Sequence, residues 1–400
     1  LICGIGLGKT FVGSEKMVQL GLKNNLVVCQ KSKVDDWVQH FKEYYNGYEV
    51  YDGTSKTELE RFLNISKNSP AVCIINYDLL IRRPEIAKLH TFTLMLDESS
   101  LIQNEKSKRT EFILKKLQPT NVILLSGTPC GGKYEKLLPQ CKLLGWNVTK
   151  KQYYSDYVVY HEQSFGGGFP VKIVDGYKNV DVLKQNLRLH GAVFMKTDDV
   201  FNLPSQTDIN INVSVTQHYR RFLKTRYINL DGVEFVGDTP LKRMLYARQL
   251  CGDYNPNKLK AFEDLLQSTE DRLIVFYNFD SELDELAQIC SSNDRPISVV
   301  NGHCKDLSAF ENFENSVTLI QFQSGAFGLN LQQANKIVYF SPPLSSELFE
   351  QSKKRTHRLG QDKPCFYYYL TCGNSIEQHI YEVLKVRKDY TEKLFEKEFE

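Results

Sequence analysis

Residues 3–10 read Cys3-Gly4-Ile5-Gly6-Leu7-Gly8-Lys9-Thr10, with Leu1-Ile2 ahead as the end of an apolar strand and a helix-like stretch behind. Glycines let backbone N–H groups turn inward around phosphate oxygens, a lysine adds a point charge at the β/γ-phosphates, and a threonine hydroxyl ligates magnesium. That reading assigns Gly6, Gly8, Lys9 and Thr10. Cys3, a small residue, holds the first glycine position of G-x-x-x-x-G-K-[ST]. A glycine-rich turn also arises without any ligand, so the reading draws on what lies downstream.

Two further segments stand in the expected order. Leu94-Met95-Leu96-Asp97-Glu98 is an apolar strand ending in paired carboxylates. In that arrangement the aspartate holds magnesium and the next glutamate polarises the attacking water. Leu125-Ser126-Gly127-Thr128-Pro129 then places small hydroxyl residues on a tight turn after another strand. Ligands bind at such carboxyl ends in open α/β sheets.

Apolar runs at 26–30, 71–77, 92–98 and 121–127 alternate with amphipathic stretches, which predicts strands buried on both faces of a parallel sheet with helical crossovers. A looser region follows, broken by Ser164-Phe-Gly-Gly-Gly-Phe-Pro170. After Leu203-Pro204 the rhythm restarts: residues 216–270 read as mostly helical, and strands are expected at 272–279, 296–302, 317–323, 336–341 and 365–370. Helical spacing of Ile376, Ile380, Val383 and Leu384 closes the chain. The fold class is therefore α/β, with two strand-rich domains at 1–204 and 205–400.

The 50 Lys+Arg against 48 Asp+Glu, giving a net charge of +2, exclude a polybasic coat or an acidic tail. Up to residue 205 there are 27 basic and 21 acidic residues, and in the remainder 23 and 27, so a basic half and an acidic half lie behind the total. No run reaches the roughly 18 apolar residues of a membrane span, and no signal peptide opens the chain, so a cytoplasmic protein is expected. The ten cysteines form no C-x-x-C pair and several sit in strand-like runs, which reads as buried reduced thiols rather than a zinc site. The chain begins at Leu1 rather than methionine, directly ahead of the glycine-rich motif, and is expected to be a piece of a longer protein.

Taken together these residues resemble helicase superfamily 2, and within it the Swi/Snf-type branch. Leu26-Val-Val-Cys-Gln-Lys-Ser32 with Trp37 and Phe41 is similar to that branch's motif Ia, and Asp97-Glu-Ser-Ser-Leu-Ile-Gln-Asn104 with Ser107-Lys-Arg-Thr110 to its motif II. Lys196-Thr-Asp-Asp-Val200 with Leu203-Pro204 is similar to the segment closing its first lobe. Ser324-Gly-Ala-Phe-Gly328-Leu-Asn-Leu-Gln-Gln-Ala334 resembles motif V, and Gln351-Ser-Lys-Lys-Arg355-Thr-His-Arg358-Leu-Gly-Gln361 motif VI. The text looks most like the short forms carried by bacteriophages and bacteria. It departs from the family at Ser100, where histidine is usual and couples hydrolysis to motif III, and at Gln103. Lys353 and Lys354 add charge ahead of Arg355. The family's adenine-contacting glutamine belongs upstream of the text.

The resemblance implies two tandem RecA-like lobes, each a mainly parallel sheet flanked by helices, with ATP between them. It implies a monomeric motor that hydrolyses ATP with magnesium and is stimulated by duplex DNA, in the cytoplasm of a bacterium or phage-infected host. Lys9, Asp97, Glu98 and the arginine fingers Arg355 and Arg358 would be catalytic; Gly328 and Gln351 join the nucleotide site. Lys31, Lys33, Lys106, Lys108, Arg109 and Ser324 are the candidate nucleic-acid contacts, together with the Arg82-Arg83 pair. Two rivals stand beside this. One is a strand-separating DNA or RNA helicase, although no separation hairpin is evident in the text. The other is an ATPase-defective nucleic-acid-binding or scaffold protein.

Overall fold

The structure is a computed structural model describing residues 2–3, 8–64, 69–164, 170–195, 202–230, 232–325 and 329–395 of the 400. The chain divides into two compact units, residues 1–200 with 389–400, and residues 201–388.

In the first unit β1 (Ile2–Cys3) is followed by β2 (Asn24–Cys29), β3 (Glu49–Asp52), β4 (Ala71–Asn76), β5 (Phe92–Asp97) and β6 (Asn121–Leu125). The last five form one parallel sheet in the order β3-β4-β2-β5-β6. Leu26 and Val28 point to one packed face and Val27 and Cys29 to the other, so both faces are covered. That is why the strands read as unbroken apolar runs. The edge strand β3, Glu-Val-Tyr-Asp, pairs on one side only and carries too few apolar residues to be read in advance.

Helix Lys9–Leu20 lies close against this sheet. A Cβ on Gly13 would come within 2.8 Å of Leu125 Cδ1 and Met95 Sδ, so only glycine allows that approach. The helix start is thereby fixed beside the carboxyl ends of β5 and β6.

The stretch read as loose is ordered over most of its length. Helix Lys150–Tyr157 leads into β7 (Val158–Gln163), which pairs antiparallel with β8 (Val171–Tyr177), and helix Val180–Leu189 follows. Tyr134, Tyr153, Tyr157, Leu183 and Leu187 give it a small core of its own. Exposure of the hairpin faces removes the apolar rhythm that marks buried strands, and this is why the sequence showed no hairpin here. β9 (Phe194–Met195) returns to pair in parallel with β1.

The second unit opens with β10 (Gln206–Val213) and holds a second hairpin, β11 (Tyr227–Leu230) with β12 (Val233–Val236). Then come β13 (Leu273–Tyr277), β14 (Ile297–Val300), β15 (Val317–Gln321), β16 (Lys336–Tyr339) and β17 (Cys365–Cys372). Six of these make a parallel sheet ordered β10-β17-β16-β13-β15-β14. The span 216–270 is mostly helical as read, with helices Gln217–Thr225, Pro240–Cys251 and Pro256–Gln267, and it also contains the β11–β12 hairpin, whose turn is closed by Gly232 N–H donating to Asn229 Oδ1 at 3.1 Å. β10 was not foreseen, because an edge strand alternating Asp, Asn and Ile buries only one face. Both units are thus parallel sheets flanked by helices.

Candidate active site

The site in the first unit grows from the carboxyl ends of β5 and β6. Gly8 caps helix Lys9–Leu20 at φ 67°, a left-handed backbone that suits glycine, and Lys9 is the first helical residue. Its ammonium lies 3.3 Å from Glu98 Oε1, with both side chains largely buried. Thr10 follows, and its carbonyl accepts from Ser14 Oγ at 2.9 Å. Gly6 lies outside the described residues.

Asp97 ends β5 and is held from two directions. Trp37 Nε1 donates to its Oδ2 at 3.0 Å and the Glu98 N–H to its Oδ1 at 3.1 Å. Tyr77 O–H donates to the Asp97 carbonyl at 2.8 Å. Burial, and after it the neighbouring Glu98, push the Asp97 carboxyl above the usual carboxylate range, while Lys9 and Trp37 pull it back. Burial beside the same carboxylates raises the Tyr77 phenol, so it stays a donor.

Glu98 adopts φ 50°, uncommon for a residue with a side chain. Its Oε1 meets Lys9, but Oε2 is buried without a hydrogen-bond partner among the described residues. A buried carboxylate oxygen left open is costly, and a bound water or ligand atom would satisfy it. This fits a carboxylate that polarises water. The oxygens of Asp97 keep free lone pairs beyond their two donors, so the donor set also fits a magnesium ion, a hard cation that takes oxygen ligands.

The turn after β6 lies in the same unit. Ser126 Oγ accepts from the Thr128 N–H at 3.2 Å, and Thr128 Oγ1 is buried with no partner among the described residues. Ser99 Oγ donates to Gln140 Oε1 at 3.0 Å, and Gln140 Nε2 donates to the Pro129 carbonyl at 2.6 Å. Gln140 could not be singled out in advance, because a lone glutamine in an amphipathic stretch carries no spacing signal. Tyr77 was equally silent; Trp37 was legible only through the family text.

In the second unit helix Ser346–Lys353 and the loop after it carry the arginines. Arg355 NH1 donates to the Leu329 carbonyl at 3.3 Å, and the Leu331 N–H donates to the Arg355 carbonyl at 3.3 Å. Gln361 Nε2 donates to the carbonyls of Gln332 and Ala334, both at 3.0 Å. The two segments read separately in the sequence are therefore stitched into one. Arg358 is half-buried, with Nε unpartnered among the described residues; both amide atoms of buried Gln351 are in the same state. Gly328 lies outside the described residues, as does the Lys196–Val200 motif, and Ser324 is described only as part of a short helix.

Lys353 corrects the reading that it adds charge ahead of Arg355. Its buried ammonium sits 3.3 Å from Asp208 Oδ1 and 5.0–5.4 Å from the ring centres of Phe349, Tyr367 and Tyr369. The charge is neutralised inside the unit.

Among the nucleic-acid candidates, Lys31, Lys106 and Lys108 are exposed, and Lys33 pairs with Asp36 at 2.6 Å. Arg109 bonds Asp78 at 2.8 Å and lies over the Tyr77 ring. Of the Arg82-Arg83 pair, Arg82 is exposed and Arg83 NH2 reaches the Thr54 carbonyl at 3.5 Å. Cys251, Cys372 and Glu377 form a buried group with ligand-type atoms within 4.8 Å, but Glu377 already meets the Lys258 ammonium at 2.6 Å. No described helix is long and apolar enough to cross a membrane.

Comparison with known proteins follows the same division of text. The SNF2-related domain model matches residues 5–255, and the helicase conserved C-terminal domain model residues 257–360. The mouse SWI/SNF-related matrix-associated actin-dependent regulator of chromatin subfamily A member 1 is 23% identical over 96% of this chain and 40% of its own length. The DNA repair and recombination protein RAD26 of Saccharomyces cerevisiae is 22% identical over 88% of this chain and 37% of its own. The chain thus spans about 40% of the length of the first such relatives. A solved structure of the Sulfolobus solfataricus SWI2/SNF2 ATPase core in complex with dsDNA aligns over 98% of this chain and 88% of its own, at 18% identity and a TM-score of 0.42. With one family model covering more than half of its residues, and a helicase C-terminal domain after it, the chain belongs to the SNF2-related family.

Proposed function

We propose that this chain is the motor of a DNA-dependent ATPase that moves along duplex DNA. The observation that carries this reading is the Lys9–Glu98–Asp97 arrangement at the carboxyl ends of β5 and β6, with Glu98 Oε2 left open. Family membership agrees with it.

In the cycle proposed here, Gly6, Gly8 and Lys9 hold the phosphates of ATP. Thr10 and Asp97 would hold magnesium, which neutralises phosphate charge when bound. Glu98 orients the attacking water through its open oxygen and takes up its proton. Trp37 and the Glu98 N–H fix the Asp97 carboxylate, so the pair need not reorganise during turnover. Arg355, Arg358, Gly328 and Gln351 are the second unit's proposed contribution to hydrolysis, and Arg355 is the one tested below. The two units act as lobes divided near residue 204. Exposed Lys31, Lys106 and Lys108 grip backbone phosphates. A bacteriophage or bacterial source, a cytoplasmic location and a monomeric state belong to the same proposal and rest on the resemblance of the motif text.

A second reading, strand separation, draws on the exposed β7–β8 hairpin. Phosphate release measured with duplex DNA, single-stranded DNA and RNA, beside triplex-displacement and strand-displacement assays, separates the two. Duplex-stimulated release with triplex displacement is expected. Turnover indifferent to DNA overturns the proposal, and unwinding without triplex displacement selects the second reading. Arg355→Ala is expected to lower hydrolysis while ATP binding stays unchanged.

A further inference from the structure

Two turns in the first unit each hold a buried polar atom with no hydrogen-bond partner among the described residues. On the turn after β5 it is Glu98 Oε2, on a residue at φ 50°. On the turn after β6 it is Thr128 Oγ1. Groups of this kind find partners in another arrangement of the same turn or on binding, because a lasting buried vacancy is costly. Between them stands a group whose oxygen and nitrogen are both engaged. The side chain of Gln140, only 4% exposed, accepts from Ser99 Oγ with its oxygen and donates to the Pro129 carbonyl with its nitrogen, at 3.0 Å and 2.6 Å.

A planar amide engaged at both ends is a rigid spacer. A displacement of the Asp97–Ser99 turn by about an ångström takes the Ser99 bond beyond hydrogen-bond length, unless Pro129 and its neighbours move with it. Ser99 directly follows Glu98, and Pro129 directly follows Thr128, so each end of the spacer is one residue from an open atom. Helix Leu138–Leu143, which carries Gln140, packs in the small core of Tyr134, Leu138 and Cys141, and that fixes the spacer from behind.

We propose that Gln140 is a positioning residue that couples the carboxylate turn at Asp97–Glu98 to the Ser126–Pro129 turn. The proposal rests on the reading of Asp97 and Glu98 as the nucleotide-hydrolysing pair. A nucleotide that repositions Glu98 is transmitted through Ser99, Gln140 and Pro129, and Thr128 gains or loses a partner as a result. Gln140 itself touches no reacting atom.

The test compares the full chain with Gln140→Met, which keeps shape and removes both bonds, with Ser99→Ala, a smaller change at one bond, and with the double variant. Hydrogen exchange over residues 126–130 is followed with and without magnesium and a non-hydrolysable ATP analogue, whose affinity is measured on the same samples. In the parent chain the analogue is expected to slow exchange there about tenfold or more. In either single variant that slowing falls to under about twofold while affinity changes by less than about threefold, and the double variant behaves like the singles. DNA stimulation of phosphate release falls in parallel, by about tenfold, with basal release within about twofold. Slowing retained in both single variants overturns the coupling, as does a double variant worse than either by the product of their effects. If Gln140→Met fails to fold, Ser99→Ala alone decides by the same criteria. An analogue that does not bind the parent chain overturns the hydrolytic reading itself, whereas binding without any change at 126–130 overturns only the coupling.

Discussion

Each unit holds a lysine–glutamate pair, and the two differ in how completely the glutamate is used. In the second unit Lys258 and Glu377 are fully buried at 2.6 Å, and the other oxygen of Glu377 accepts from the Cys372 N–H at 3.1 Å. Both oxygens are engaged, and the pair joins helix Pro256–Gln267 to the end of β17. In the first unit Lys9 and Glu98 stand at 3.3 Å, largely but not fully buried, with one glutamate oxygen unpartnered among the described residues and the Glu98 backbone in a left-handed conformation. A closed pair holds a fold together. An open one on a constrained turn is prepared to act on something else.

Breaking each pair tests this contrast. Lys9→Ala is expected to lower DNA-stimulated phosphate release by about 10³-fold or more, because a phosphate clamp is lost, while the thermal midpoint moves little. A large drop in midpoint instead makes the first pair structural. Lys258→Met reverses the pattern. Leaving Glu377 buried without its cation costs about 3–5 kcal/mol in denaturant titration, and replacing both partners by apolar residues regains most of it. An unchanged midpoint for the single variant removes the distinction between the pairs.

A smaller effect sharpens the picture of the second unit. Burial raises the Asp253 carboxyl to about 6, and its Oδ1 has no hydrogen-bond partner among the described residues. The folded pKa lies above the unfolded one, so the stability linked to this group is present below about pH 4 and lost as pH rises through about 6. Asp253→Asn is therefore expected to stabilise the protein at pH 7.5 by about 1–3 kcal/mol and by nothing measurable at pH 3.5. A stabilisation independent of pH contradicts the assignment. The smallest effects belong to exposed cations away from both pairs: Lys106→Ala and Lys108→Ala each reduce the salt dependence of duplex binding by about one counterion. Unaltered slopes remove them from the track.

Much of the site was legible because its chemistry needs particular residues at fixed spacing. The places of Gly8 and Lys9 at a helix start and of Asp97 and Glu98 at a strand end could be read before any fold, because a glycine-rich turn and an apolar run mark such ends; their chemical roles belong to the proposed function. Continuous apolar runs likewise revealed the central strands of both sheets. The edge strands β3 and β10 and the β7–β8 hairpin stayed hidden, because they are mostly exposed or only partly buried and lack an apolar run, whereas the edges β6 and β14 keep one and were read. Gln140, Tyr77 and the ring cage around Lys353 were hidden for another reason. Their roles depend on partners brought near by the fold, such as Pro129, Asp97 and Asp208, and no spacing along the chain records such pairings.

In the proposed mechanism the open oxygen of Glu98 serves hydrolysis. Its most direct test is Glu98→Gln, which keeps the size of the side chain and removes the charge, read by ATP binding and by phosphate release with duplex DNA on the same preparation. Binding is expected to stay within about threefold of the parent chain and release to fall by about 10²–10⁴-fold. Release that persists at the parent rate while ATP binds normally contradicts it.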